Sequence, residues 1–296
     1  MMEILSAVIP VFLIAGLGFG IRKAFPLHLK TLSILNIYIL IPSLVFDSLS
    51  KRAIDWTVFG KIAMAALAMV VLLSGVLMVI ARVRRMEPQL ESAFLMTMFA
   101  NLGNFGLPVV LFAFGEQALS LAVVIMVCGG FLQNSIGLYF AQRSRHNALV
   151  SALHVFRFPM IYAFAAALIA QRAGWSLPLP IDRAVEITAS AAIPIQLLIV
   201  GATLGETRLE TGVDVFIATA VRLAGAPVLA LAVCALVGLK GEAARVFIVQ
   251  MSGPVAVGMA VYGVQFDLKP GFLASAVAWT FLLSSVSITI VLAVLM

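Results

Sequence analysis

Two amides, two glycines and a proline stand together inside the hydrophobic segment 93–114. These residues are Asn101, Gly103, Asn104, Gly106 and Pro108. Glycine and proline interrupt helices, and lipid offers no water to the backbone groups that an interruption leaves unpaired. Such an interruption persists only where it is buried in protein or lines a wet cavity, and secondary transporters place their substrate sites at interrupted helices. The motif therefore predicts half of a transporter's binding site.

The two amides have two compatible interpretations. Asn101 and Asn104 are three residues apart, so they could cap the half-helices on either side of the interruption or contact a substrate or ion directly. A half-helix that begins near Gly106 would direct its partly positive N-terminal end at this point. An anionic carboxylate is favoured in that position.

A second interruption is predicted at Ser252, Gly253 and Pro254. Pro254 lacks a backbone donor and frees a carbonyl one turn earlier, while Gly253 permits close approach of a backbone or a ligand. The motif predicts the other half of the binding site, and a simple proline kink is the alternative.

Other polar residues also lie at membrane depth. Gln133, with Asn134 beside it, is predicted to face the cavity. Arg222 is the only basic residue well inside a hydrophobic span, so it needs a partner in protein or water. It would either attract an anionic substrate or bond free carbonyls at a helix interruption, and the structural role is slightly favoured. Helix packing or interhelical hydrogen bonding is the favoured interpretation of three further residues, Asn36, Ser43 and Gln196.

Composition places the whole chain in the membrane. Of its 296 residues, 63% are hydrophobic and only 11% are charged, whereas soluble domains carry about 25% charged residues. The net charge of +6 is expected to reflect the loops that orient the helices, not nucleic-acid binding. Ten hydrophobic spans are predicted, at about 4–21, 31–49, 60–81, 91–114, 118–141, 157–171, 185–204, 213–239, 243–264 and 272–295.

The two halves of the chain resemble each other. Five spans precede and five follow the predicted cytoplasmic linker 142–156, which gives repeats at 1–141 and 157–296. Because five is odd, similar halves would be inverted relative to each other. Prolines occur at corresponding points of spans 2 and 7 and beside the interruptions of spans 4 and 9. The predicted hinge or helix-break prolines are Pro42, Pro108, Pro194 and Pro227.

Basic residues set the expected orientation. Connections after odd-numbered spans contain eleven Lys and Arg, and those after even-numbered spans contain seven. The positive-inside rule then places the odd connections in the cytoplasm and both termini outside. We expect a multi-pass protein of a bacterial inner membrane, surrounded by lipid.

The motifs resemble those of the auxin efflux carrier family. Asn-x-Gly-Asn-x-Gly-Leu-Pro at 101–108 is similar to the signature of its bacterial members, and the pattern from Arg222 to Pro227 is also similar. The resemblance implies the fold of bile-acid sodium symporters, with spans 4 and 9 crossing at their broken centres. Spans 1, 2, 6 and 7 would form a scaffold, often dimeric, and spans 3–5 and 8–10 would form the moving unit of an elevator.

The resemblance also implies a substrate class. Bacterial members are associated with malonate or malate, and plant members export auxin, so the expected substrate is a small organic anion. A dicarboxylate is favoured because the long hydrophilic loop of the plant carriers is absent here and Ala100 replaces their crossover proline. An auxin-like or other monocarboxylate is the alternative.

The remaining patterns narrow the function class. No Asp, Glu or His is predicted at mid-membrane depth, which argues against an intramembrane hydrolase and against proton coupling through a buried carboxylate. No cofactor and no metal site are predicted, although sodium could serve as a coupling ion. Glycines at 16, 18 and 20 are attributed to close helix packing, and Cys128 and Cys234 to packing. A channel or a non-transporting sensor is the other alternative.

Overall fold

A computed structural model describes residues 2–52, 55–141, 154–207 and 209–296 of the chain. Helices dominate it. Segment 102–141 is helical throughout but is divided at Gly115. The helices are α1 (Met2–Ala24), α2 (Leu29–Ser50), α3 (Trp56–Val83), α4 (Pro88–Met96), α5 (102–114), α6 (116–141), α7 (Pro159–Ala173), α8 (Leu179–Glu206), α9 (Val213–Val237), α10 (Gly241–Met251), α11 (Val257–Gln265) and α12 (Pro270–Leu295).

The prediction of a helical membrane protein is confirmed. Seven helical segments of the described chain are long and apolar enough to cross a membrane. Large apolar side chains remain exposed along them, such as Val79 (62%), Ile187 (73%) and Leu236 (80%). Such a surface suits lipid rather than water. The shorter helices α4, α10 and α11 flank the two interruptions that the sequence predicted.

All four predicted hinge prolines lie next to irregular helical turns. A wide π-type turn ends two residues before Pro42, Pro108 and Pro227, and a turn at Ala191 interrupts the helix before Pro194. Proline lacks an N–H and crowds the carbonyl one turn earlier, and a widened turn accommodates both effects. Hinge motion at these positions stays a prediction.

Gly115 forms the tight reversal between α5 and α6. Its φ of +79° and ψ of −176° belong to a backbone conformation that residues with a Cβ rarely adopt. The sequence predicts that spans 4 and 5 are separated near residues 115–117, and the helix is interrupted there at Gly115.

The helices pack in two groups. In one group, α1 packs along α8, and α2 packs on α7 and α8. In the other, α3 contacts α9, α10 contacts the segment of α5 and α6, and α12 contacts α9 and α11. The groups meet where α1 crosses the segment of α5 and α6 and also contacts α12. Phe12 of α1 contacts the rings of Phe105 and Phe281 at this junction, with centroids 6.2 and 5.2 Å away.

Ion pairs link residues at the ends of different helices. Arg22 pairs with Glu206, Arg84 Nε lies 2.7 Å from Asp214, and Lys269 pairs with Glu87. The hydrogen bond to Glu87 raises the pKa of Lys269. Each pair joins two ends that the sequence assigned to the same side of the membrane. Most of the predicted linker 142–156, including Arg143 and Arg145, and also Arg208 lie outside the described residues.

Candidate functional site

The two interrupted segments meet and pair through their backbones. The N–H of Asn101 donates to the carbonyl of Pro254 (2.8 Å), and the N–H of Ala256 donates to that of Phe99 (2.9 Å). The segments run antiparallel there, so the interruptions supply each other with the partners that lipid does not offer. We call residues 97–101 and 252–256 together the crossing.

Arg222 holds the crossing together from α9. A wide turn at Val221–Gly225 carries it, and its side chain is 1% exposed. Its guanidinium donates to three carbonyls that the interruptions leave free: Met98 (2.6 Å), Gly253 (2.9 Å) and Met251. The planar fork of arginine suits several acceptors at once. This geometry agrees with the structural alternative of the sequence analysis.

The half-helix α5 begins earlier than the sequence indicated. We predicted a start near Gly106, but the helix starts at Leu102, with Asn101 as its N-cap. The Oδ1 of Asn101 accepts a hydrogen bond from the N–H of Asn104 at 3.1 Å. The capping interpretation of Asn101 is therefore correct, since this bond satisfies one of the free donors of the first turn.

At the crossing, the negative partial charges of the carbonyl ends are compensated, whereas the positive partial charges of the helix N-termini are not. Helices α4 and α10 end there with free carbonyls, which Arg222 neutralises. Helices α5 and α11 begin there with partly positive N-termini, and the N-cap of α11, Ala256, offers no side-chain acceptor. No carboxylate is among the described residues that line the space in front of these two N-termini. The site therefore presents an uncompensated positive potential.

A cavity of about 400 Å³ opens at the two N-termini. Its size lies in the usual range for a small-molecule site. Its walls are mostly apolar, and none of the described residues that line it carries a charge. The polar contributions come from Asn101, Asn104, Gln133, Asn134 and Tyr262, with Ser33 and Asn36 from α2; the apolar ones include Ile37, Ile41, Leu102, Met126, Phe158, Met160, Ile199 and Val261.

The predicted site residues separate into two sets. Asn101, Gly103, Asn104 and Gln133 line the cavity. The other five are buried and do not line the cavity: Gly106, Ser252, Gly253, Pro254 and Arg222. Gly106 instead accommodates Gln250, because a Cβ there would lie only 1.9 Å from the Oε1 of that side chain. Ser252 bonds back to the carbonyl of Ile248 at 2.6 Å.

The residues that line the cavity from the start of α11 were not predicted from the sequence. These are Ala256, Val257, Gly258, Val261 and Tyr262. Only Tyr262 carries a polar signal, and its hydroxyl donates to Oδ1 of Asn134 at 2.9 Å. Asn134 in turn donates to the carbonyl of Gly130 at 2.8 Å, so it braces α6 and α11, whereas Gln133 approaches the start of α11 at Gly258.

The opposite side of the crossing is closed by polar contacts between the two helix groups. Ser120 of α6 donates to the carbonyl of Ser48 at 3.0 Å. Arg52, just after α2, reaches Oγ of Ser120 at 3.2 Å and the carbonyl of Glu116. In this arrangement the two helix groups are therefore joined on that side.

Comparisons with known proteins relate the chain to membrane transporters. The chain is 27% identical over 268 residues to an uncharacterized transporter of Methanocaldococcus jannaschii, covering 88% of this chain and 86% of that protein. It is 25% identical over 294 residues to an uncharacterized transporter of Methanothermobacter thermautotrophicus, covering 96% and 95%. The model of a family described as membrane transport protein matches residues 3–152 and 141–292. The chain therefore belongs to this membrane transport family, which is the auxin efflux carrier family.

Proposed function

We propose that this protein is a secondary transporter that binds a small organic anion in front of the two half-helix N-termini. The observation that carries the proposal is the one-sided balance of charge at the crossing. Arg222 neutralises the carbonyl ends, whereas no acidic side chain among the described lining residues faces the N–H ends. A bound carboxylate completes the site.

The substrate expected from the sequence is a dicarboxylate such as malonate or malate. Two N-termini at one crossing are compatible with two carboxylates. The apolar walls of the cavity, among them Ile37, Met126 and Val261, favour a second candidate, a monocarboxylate with an apolar body such as an auxin-like aromatic acid. The cavity would bury more apolar surface of an aromatic monocarboxylate than of a short dicarboxylate.

We infer an arrangement of ten spans in two inverted repeats, with α4–α5 and α10–α11 as the two broken crossing spans. The packing of α1, α2, α7 and α8 as one group supports a scaffold, and the packing of the other helices supports a moving unit. Movement of the second group past the first would give elevator-type alternating access. A homodimer through the scaffold in a bacterial inner membrane, with both termini outside, remains part of this proposal.

Coupling is linked to direction. A membrane potential of 100 mV supplies about 2.3 kcal/mol per charge, enough to drive efflux of a monovalent anion from a negative-inside cell. Uptake of a dianion needs a co-ion, and sodium is the candidate, held by carbonyls and amides at the interruptions. Uptake of labelled malonate and of an aromatic monocarboxylate into proteoliposomes, with and without a sodium gradient, separates these modes.

Replacing Asn101 with aspartate tests the anion site directly. Aspartate caps a helix as well as asparagine does, so the bond to the N–H of Asn104 is retained. The added negative charge repels an anion at the paired N-termini, and we expect uptake to fall at least about 100-fold, since like charges in a low-dielectric site interact by several kcal/mol. The experiment measures saturable uptake and, as a check on folding, the melting temperature.

Asn101→Ala serves as the matched comparison. It removes the cap, so it should lower the free energy of unfolding by about 1 kcal/mol as well as reduce uptake. Uptake by Asn101→Asp at the wild-type level would contradict an anion site at the crossing. Absence of saturable uptake in folded wild-type protein, for every anion tested, would favour a sensor.

If the protein works by alternating access, the contacts of Arg52 hold the two helix groups together on the side opposite the cavity. Removing them with Arg52→Gln should weaken closure on that side, because Ser120 and the carbonyl of Glu116 lose their charged donor. Labelling tests this in protein whose two cysteines are replaced by alanine. A cysteine introduced at Ser33, which lines the cavity, should react more slowly with a membrane-impermeant maleimide. The decrease is at most about fivefold, the limit set by about 0.5–1 kcal/mol for an exposed contact.

The matched control for this change is Arg172→Gln. Arg172 lies in the last turn of α7 and stacks on Trp56 at 5.3 Å, a contact that does not involve α6. Equal labelling rates for Arg52→Gln and the unaltered protein would show that the contacts of Arg52 do not hold the cavity in its present arrangement.

A further inference from the structure

Gln196 of α8 is a buried polar side chain that the site described above does not use. It is fully buried, and neither its amide oxygen nor its amide nitrogen has a hydrogen-bond partner among the described residues. Buried polar atoms are almost always paired in native proteins, so an amide with both ends unpaired points to a partner that is absent from this arrangement. Packing or interhelical hydrogen bonding, which the sequence favoured, does not account for a buried amide with both ends unpaired.

The unpaired amide faces the N-terminal turn of α5. A Cβ on Gly103 would lie 3.4 Å from Oε1 of Gln196, and Gly103 itself lines the cavity. Ile199, three residues further along the same face of α8, lines the cavity as well. Gln196 therefore stands directly behind the cavity wall, next to Gly103 of α5.

The helix that carries Gln196 is held against α1. A Cβ on Gly18 would lie 2.2 Å from the carbonyl oxygen of Leu198, and a Cβ on Gly201 would lie 1.7 Å from that of Ala15. Backbones this close leave little freedom for α8 to shift relative to α1. If one helix group moves past the other, α5 moves and Gln196 stays.

We propose that Gln196 is a second contact for the transported anion, supplied by α8 when the crossing moves past it. The proposal rests on the proposed function, because the anion must be bound at Asn101 and Asn104 for the movement to bring it to this amide. The Nε2 of Gln196 would donate to a carboxylate oxygen, and the amide adds no net charge at membrane depth.

The test compares two buried glutamines. Gln196→Met keeps the length and approximate volume of the side chain and removes only the unpaired amide. We expect its melting temperature to be equal to or higher than that of the wild type, while Vmax/KM for uptake falls at least about tenfold, the loss that corresponds to one hydrogen bond to a charged group. Gln196→Leu provides a second apolar variant.

Gln250→Met is the matched control. Gln250 is also fully buried, but its Nε2 donates to the carbonyl of Ala122 at 3.1 Å. Its replacement should lower the melting temperature, because a buried hydrogen bond between α10 and α6 is lost. Gln250→Met thus gives the change in melting temperature and in Vmax/KM that follows from loss of a structural amide in the same protein.

Three results would overturn the proposal. Wild-type Vmax/KM in Gln196→Met and Gln196→Leu would show that no anion meets this amide, while leaving the proposed function intact. A melting temperature lowered as in Gln250→Met would assign Gln196 to packing or to a structural water. Wild-type protein that is folded but moves no carboxylate would remove the proposed function and this contact together.

Discussion

Arg222→Lys is expected to disrupt the crossing although it keeps the positive charge. Arginine reaches the carbonyls of Met98, Met251 and Gly253 with three different nitrogens. The single nitrogen of lysine cannot occupy those three positions, so at least one or two buried carbonyls lose their partner. Each costs about 1–3 kcal/mol, so two carbonyls without a partner cost about 2–6 kcal/mol, a large share of the stability of a typical protein.

The measurement is the melting temperature in detergent together with the fraction of protein that elutes as a single species. Arg84→Lys is the matched control, because Arg84 pairs with Asp214 at a partly exposed helix end, where a salt bridge contributes about 0–1 kcal/mol. Wild-type stability in Arg222→Lys would contradict the structural role. If such a variant also kept uptake, the charge itself would be what matters, as in the alternative interpretation that Arg222 attracts the anion.

The sequence was sufficient to predict that two helices are interrupted. Glycine, proline and polar residues clustered inside a hydrophobic segment favour an interrupted helix over a continuous one. The motifs that end at Pro108 and Pro254 therefore located both interruptions to within a few residues. The exact paired positions were not predictable. Ala100 bridges to Val255, and these two residues look like any others of a membrane helix, because their conformation is set by the backbone of the opposite segment.

A tertiary effect of the same kind explains why only four of the nine predicted site residues line the cavity. Asn101 and Asn104 could be predicted because a polar amide at membrane depth is energetically costly and usually serves a function. Ser252, Gly253 and Pro254 were recognisable as a helix interruption, yet they are buried away from the cavity, in a segment whose carbonyls bond to Arg222 of α9. On the α11 side most of the residues that line the cavity, such as Ala256 and Val257, are of types that give no functional signal. The relative placement of helices, not residue chemistry, decides which atoms a ligand can reach.

Gly201→Ala is expected to separate α1 from α8 and to destabilise the protein by more than about 3 kcal/mol, the upper end for added methyl groups in a packed core. The new Cβ would lie 1.7 Å from the carbonyl oxygen of Ala15 and 2.9 Å from the backbone nitrogen of Phe19. Both are backbone atoms, so no side chain can turn aside and the helices must move apart.

The glycines of α1 supply the controls. Gly16 and Gly20 have open space where a Cβ would be added, so alanine there should leave stability unchanged or raise it by about 0.5–1 kcal/mol. Melting temperatures of the three variants separate close packing from helix propensity. If Gly201→Ala melted like Gly16→Ala, α8 would not be held against α1, and it could not serve as the stationary wall past which the crossing moves. Because both the elevator arrangement and the contact from Gln196 need that wall, this one substitution tests the premise that they share.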